Sequence, residues 1–406
     1  MPRLSSLPLL AVLLASVAAC DREAATSSPP DASLTSTPPI FGTRGLGRPL
    51  SFLTFDQRRL FERGRVVFER TFTPDSGVGP LFNASGCAEC HEDPVATGVG
   101  DEVESHVTAD QGGVCTDLAS AGGPVVQDSA TPLLFAALGI SSEPMPAGAT
   151  VVGHRTTGQV MGFGLIEAIP DAEILAHADP NDRNGNGISG RAHITAEGRV
   201  GRFGRKALVA TLSEFVAGAF INEMGVTSPA EPNENTVAGS PLPAGVDPAP
   251  DPELSQQDLD AAVAFMRFLA PPPPNVFRFS FSTRRGRVLF ARTGCASCHT
   301  PALVTGPNAA PGVRNRVVYA YSDLLLHDMG PDLADICLGN ATAAEFRTEP
   351  LMGLRLKEAA FLHDGRATSV GEAIRMHGGE AAGARDRFIA LSPFDQAALL
   401  RFLGSL

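Results

Sequence analysis

The sequence contains no tryptophan, only two tyrosines, and only two lysines, Lys206 and Lys357, among 406 residues. Without Trp, the aromatic that redox proteins often use as an electron relay is missing, and 23 Phe supply nearly all the aromatic character. The scarcity of Lys leaves positive charge to arginine, and 32 Lys and Arg against 44 Asp and Glu give a net charge of −12. That balance excludes a general nucleic-acid binder, whose phosphate contacts need a basic surface. Nor is there a long hydrophobic run: the stretch Leu7 to Val17 falls short of the roughly 18–20 residues that cross a bilayer. What is present is enough apolar residue, 43%, with 19% charged, to fold most of the chain. The length exceeds what one core usually organises, so two or three domains are expected.

The start of the chain reads as a targeting segment. Arg3 precedes the short apolar run, which ends in Val17-Ala18-Ala19-Cys20. Small residues immediately before a Cys resemble the lipobox of bacterial lipoproteins. The resemblance implies a signal peptide over residues 1–20, cleavage before Cys20, and lipidation there. The expected location is the periplasmic side of a bacterial membrane. Residues 21–51, with Ser27-Ser28-Pro29-Pro30 and Ser36-Thr37-Pro38-Pro39, read as a disordered tether. Pro271-Pro272-Pro273-Pro274 admits no helix and is taken as the main boundary, between a domain at 52–270 and one at 275–406.

The cysteines carry the chemistry. Cys87-Ala88-Glu89-Cys90-His91 and Cys295-Ala296-Ser297-Cys298-His299 both read C-x-x-C-H, the c-type haem attachment pattern. Two thiols on one turn add to the two vinyl groups of haem, and the adjacent His ligates iron from the proximal side. A Cys-x-x-Cys redox pair or zinc knuckle is the competing reading, disfavoured by a His directly after both pairs. Two covalent haem c groups follow, held by Cys87, Cys90, Cys295 and Cys298, with His91 and His299 as proximal ligands. Cys115 and Cys337 are left over, to pair as a disulfide between the halves in an oxidising compartment or to remain free thiols.

A repeat supports duplication. The segments Gly64 to Thr71 and Gly286 to Thr293 match at six of eight positions, each ahead of a haem motif. Leu60, Phe61, Val67 and Phe68 fall on one helical face of the first copy. Closing helices are expected from Ser255 with Asp258 to near Leu269, and from Ser392 with Asp395 to the C-terminus. The fold class is therefore mainly α, as two cytochrome c-like domains, the N-terminal one enlarged by loop insertions. A sixth ligand decides whether each iron only moves electrons or also binds an oxidant. Ser369 to Glu372 reads as a capping box for a short helix ended by Gly378-Gly379, which projects Met376 and His377.

Several motifs resemble the bacterial di-haem oxidoreductase family of peroxidase-like proteins. They are Leu81 to Cys87, Gly162 to Pro170, Val216 to Phe220, Tyr321 to Gly330, Phe361 to Arg366 and His377 to Ala381. The resemblance runs from about Leu53 to the C-terminus. It implies a C-terminal haem that accepts electrons from a small donor of cytochrome c or cupredoxin type. Peroxide or another small oxidant would react at the N-terminal haem. It also implies His377, with Met376 as the alternative, as the distal ligand of the C-terminal haem. Glu167, inside an apolar stretch, is then a candidate acid and base at the N-terminal site, or else a capping or salt-bridge carboxylate. His106 and His154 compete for that iron's remaining position. The sequence departs from relatives that place a Trp between the haems: Arg205 and Met352 stand where they often have aromatics, with Tyr319 and Tyr321 as replacements. Asp179 to Gly187 resembles a calcium loop, but His193 at its twelfth position excludes an EF-hand. Relatives hold calcium between domains; an Asx-turn loop is the other reading. An electron carrier with both irons six-coordinate and a haem oxygenase acting on an apolar substrate are the alternative functions.

Overall fold

The computed structural model describes residues 45–112, 114–273, 275 and 280–406. Residues 1–44, and with them Cys20 and the expected export segment, lie outside it, as do Pro274 and residues 276–279. No helix among the described residues is long and apolar enough to cross a membrane.

Eleven α-helices are present among the described residues. In the first part of the chain they are α1 (Phe55–Phe68), α2 (Cys87–Cys90), α3 (Pro132–Leu138), α4 (Phe163–Glu167), α5 (Asp171–Leu175), α6 (Leu212–Met224) and α7 (Gln256–Phe268). The remainder are α8 (Phe281–Arg292), α9 (Val370–Met376), α10 (Ala382–Ile389) and α11 (Pro393–Leu403). Local chemistry sets their starts. Thr54 and Gln57 form a reciprocal capping box on α1, and Thr211 with Glu214 does the same for α6. Ser255, Ser280 and Ser392 each accept a backbone N–H three residues on, from Asp258, Thr283 and Asp395. Ser369 caps α9 through the Glu372 N–H, but the Glu372 carboxylate turns back to the N–H and hydroxyl of Thr368, so the expected box is half formed.

The same crossing is built twice. Helix α1 packs on α7, and α8 packs on α11. Gly64 and Gly286 sit at the two crossings, where a methyl group on either would run into a backbone carbonyl, of Ala261 and Ala398 respectively. Phe68 lies 5.2 Å from Phe265, and Phe290 lies 5.4 Å from Phe402. The Arg63–Asp258 ion pair has its counterpart in Arg285–Asp395. Glycine, aromatic pair and ion pair therefore recur in register with the sequence repeat. One expected core residue is misplaced: Leu60 is exposed, and the buried stripe of α1 is Phe61, Gly64, Val67 and Phe68. Gly64 lets α7 approach so closely that the contact stripe centres on the glycine.

The fold is not helical throughout. Val103–Gln111 pairs antiparallel with Val151–Thr156, Val114–Thr116 and Val125–Val126, forming a sheet inside the N-terminal insertion. Its buried Val107, Ala109 and Val126 pack with Leu118 in a core of their own. Residues expected in the tether are already held: the Leu50 N–H donates to Phe268, the Ala270 N–H to Arg48, and Arg65 to the Gly47 carbonyl. The larger core, around Phe61, Phe68, Phe220 and Phe265, also takes in Leu303, Leu324 and Leu325 from beyond the proline run. A separate core gathers Leu289, Phe290, Phe388, Leu399 and Phe402.

Replacing Gly64 or Gly286 with Ala should destabilise the protein by about 1–3 kcal/mol through overpacking. Gly383→Ala, on an exposed face of α10 with only a flexible Arg387 nearby, should instead be neutral or gain up to about 1 kcal/mol. Urea unfolding of the three variants checks the opposite signs.

Candidate haem sites

Each C-x-x-C-H motif follows its Gly-containing helix and closes one tight turn. The His91 N–H donates to the Cys87 carbonyl at 3.1 Å, and the His299 N–H to that of Cys295 at 3.0 Å. The four motif thiols are unpaired, and burial pushes Cys87 up to about 12 and raises Cys90 and Cys295. A catalytic redox pair needs a lowered thiol pKa, so the environment opposes that reading. Phe68 and Phe290 stand beside the two imidazoles, at 6.0 and 6.4 Å.

Three histidines share one arrangement. The Nδ1–H of His91 donates to the Gly98 carbonyl (3.3 Å), that of His299 to Tyr321 (3.0 Å), and that of His377 to Ala373 (2.7 Å). A carbonyl can only accept, so each ring is fixed with its proton on Nδ1 and its lone pair on Nε2, as an iron ligand requires. Burial lowers the pKa of all three, and burial with nearby His377 takes His299 down to about 4, so they are neutral at pH 7. His299 and His377 line one cavity of ≈ 270 Å³ together with Cys295, Cys298, Phe290 and Leu403. These residues fit a haem: Cys295 and Cys298 would attach it, and His299 and His377 would offer the imidazoles to hold its iron. Met376, the alternative ligand, packs against the C-terminal core.

The other histidines are differently engaged. His106 pairs with Glu104 on the inserted sheet (3.1 Å), His154 is exposed on the neighbouring strand, and His177 is exposed. His193 is buried against Gly339. His327 is the most constrained of them. Its Nε2 meets Asp323 at 2.9 Å and its Nδ1 meets Glu380 at 2.7 Å, 3.5 Å from the Cys298 sulfur. Burial alone would lower its pKa, but hydrogen bonds to Asp323, Cys298 and Glu380 together carry it to about 12. A fixed imidazolium thus lies beside the second motif. The signal was its place in Tyr321 to Gly330, which the fold brings against Glu380 of the His377 to Ala381 segment.

The other residues singled out in the sequence take the following places. Both oxygens of Glu167 are committed: Arg267 donates to them at 2.6 and 3.0 Å, and the Leu212 N–H caps one at 2.9 Å. A carboxylate held by a guanidinium and a helix N-terminus is an anchor, not a proton shuttle. In the Asp179 to Gly187 loop, Asp179, Asp182, Asn184 and Asn186 all accept backbone N–H groups of their own loop. These bonds are the Asx-type turns that the loop's composition predicts. Tyr321 packs edge-on to Phe290 and Phe402 while its carbonyl orients His299, and Tyr319 is exposed. Cys115 and Cys337 are joined in a disulfide. Met352 and Arg205 line the cavity. So do Val99 and Gly158; Val99 directly follows the Gly98 carbonyl that holds His91, so one strip of backbone joins the two sites.

Behind the cavity, His363 stacks on Phe346 with ring centroids 4.1 Å apart and turns Nε2 to Asp335 at 3.3 Å. Asp335 also pairs with buried Arg155 and with Lys206, at 3.3 Å for the latter. Burial opposes its charge, yet His363, Arg155 and Lys206 hold its carboxyl well below the usual range.

Residues 145–406 match the family described as "di-haem oxidoreductase, putative peroxidase". That span is more than half of the chain, and the chain belongs to this family. It is a peroxidase-like haem oxidoreductase by class. No curated protein matches it. Among solved structures it is similar to the diheme peroxidase BthA of Burkholderia thailandensis, at 16% identity over 89% of this chain and 87% of that one, with a TM-score of 0.41. It is also similar to hydrazine synthase of Kuenenia stuttgartiensis, at 14% identity over 94% and 100%, with a TM-score of 0.42. A MauG-like protein associated with microbial copper homeostasis shares 17% identity over 60% and 88%, with a TM-score of 0.31.

Asp335→Asn should cost about 3–5 kcal/mol at pH 7, because Arg155 and Lys206 stay buried against a neutral amide. A carboxyl with a depressed folded pKa stabilises above its unfolded value and loses that contribution as pH falls through the folded one. The gap between variant and wild type in urea unfolding should therefore narrow below about pH 4.

Proposed function

We propose that the protein is an exported, lipid-anchored di-haem c-type oxidoreductase. Electrons from a small donor protein of cytochrome c or cupredoxin type enter at the C-terminal haem and leave to peroxide, or another small oxidant, at the N-terminal haem. The observation that carries this reading is the unequal supply of histidine. The C-terminal cavity presents two neutral imidazoles with Nε2 free, His299 and His377, while the N-terminal motif has His91. When bound, haem supplies reversible one-electron chemistry and, where a position is left open, a site for the oxidant.

The chain's residues do the rest. Cys87, Cys90, Cys295 and Cys298 would fix the two groups covalently, and carbonyls of Gly98, Tyr321 and Ala373 hold the three imidazoles in one tautomer. His327, bonded to Asp323 on one ring nitrogen and to Glu380 on the other, pins the loop beside Cys298. The backbone from Gly98 to Val99 offers a through-bond link between the sites that needs no Trp. The Cys115–Cys337 disulfide supports the exported reading, since such bonds persist in oxidising compartments. The Val17-Ala18-Ala19-Cys20 motif supports the lipid anchor.

Carbon monoxide added to the dithionite-reduced holoprotein should shift about half of the Soret intensity, one haem of the two. In His377→Ala the shifted share should approach the whole, and hydrogen peroxide should oxidise a reduced small cytochrome in the presence of the wild type. No shift in the wild type would mean both irons are capped, and the electron-carrier reading would replace this one.

A further inference from the structure

The cavity that holds Cys295, Cys298, His299 and His377 is apolar along Phe290, Leu351, Ile374 and Leu403, yet part of its wall is strongly cationic. Arg205 and Arg347 share a single oxygen of Glu349, at 2.7 and 3.0 Å. Lys357 joins them with no carboxylate at all, its Nζ donating to the Thr156 hydroxyl at 3.1 Å. Thr156 ties the group together, because its carbonyl also accepts from Arg205 at 2.9 Å. Three cations on one half-exposed carboxylate leave two positive charges uncompensated on side chains largely withdrawn from water, an arrangement that is costly unless an anion completes it. Burial together with Arg205 already pushes Lys357 down to about 8. Arg385, the other arginine of the cavity, is spent on the His377 carbonyl and Asp386.

We propose that Arg205, Arg347 and Lys357 are the seat for the two propionate carboxylates of the haem attached at Cys295 and Cys298. The inference rests on the reading that this haem fills the cavity. The match is of shape and charge: an apolar macrocycle with two carboxylates on one edge, against an apolar cavity with two surplus cations in one part of its wall. It also gives a physical account of Arg205. In this reading Arg205 contributes a cation from the N-terminal half to a haem attached to the C-terminal half. The seat therefore couples the two halves through the cofactor.

The test uses the full-length holoprotein with Arg205→Gln, Lys357→Gln and the charge-conserving Lys357→Arg. Expected are two haems per chain by pyridine haemochrome in all three, and a shifted propionate bending mode of the low-spin haem in the resonance Raman spectra of the two Gln variants. Their ferric–ferrous equilibrium should move about tenfold toward ferric, equivalent to about 59 mV for a one-electron couple. Lys357→Arg should stay near wild type. An unchanged propionate mode and midpoint in both Gln variants would overturn the seat, since a merely structural role would not move the propionate mode. Cys295→Ser with Cys298→Ser separates this from failure of the underlying reading. One haem remaining confirms attachment there, whereas two remaining would sink the attachment itself and the seat with it.

Discussion

A backbone carbonyl pressed against a glycine, twice, is the constraint on which the molecule depends. At Gly64 and again at Gly286 two helices meet with no space for a methyl group, and the aromatic pairs beside each crossing lock it. In the second copy the motif at Cys295 follows its glycine-bearing helix almost directly, whereas in the first a loop and a short strand separate that helix from Cys87. The imidazoles are then finished by carbonyls drawn from different places: a nearby turn for His91, a long loop for His299, and the preceding helix for His377. The frame is repeated, while the connections to it are individual to each half.

That difference is where the two halves part company. The N-terminal half spends its extra length on a sheet that pairs His106 with Glu104, leaves His154 exposed, and delivers Arg155 and Thr156 to the far side. The C-terminal half spends its long loops on charge. Asp323, His327 and Glu380 form one sealed group, and Asp335 with Arg155, Lys206 and His363 another. Both groups border the same cavity, so its charge is contributed from across the chain.

Much of this was legible in the sequence because it is local. Ser255, Ser392 and Ser369 begin helices through side chains that reach only three residues, and the C-x-x-C-H spacing specifies its own turn. What escaped was set by tertiary contact. Leu60 has the helical spacing of a core residue but lies outside the narrow stripe that a glycine-centred crossing selects. Glu167 sits among apolar residues in sequence, yet its partner Arg267 arrives from a helix a hundred positions later. The inserted strands are short, alternate imperfectly and pair across some 45 residues, so their periodicity is weak. His327 drew attention only as part of a longer motif, because nothing in the adjacent sequence names Glu380 as its partner.

The Cys115–Cys337 bond closes a ring that contains the second haem motif and excludes the first. Six cysteines in the described chain allow 15 pairings, and nearest neighbours within each motif would compete for every one of them. Thioethers at Cys87, Cys90, Cys295 and Cys298, as proposed above, would remove four of the six from that competition and leave a single choice. Under the proposed attachment, a cofactor joined before ring closure would leave Cys115 and Cys337 no partner but each other.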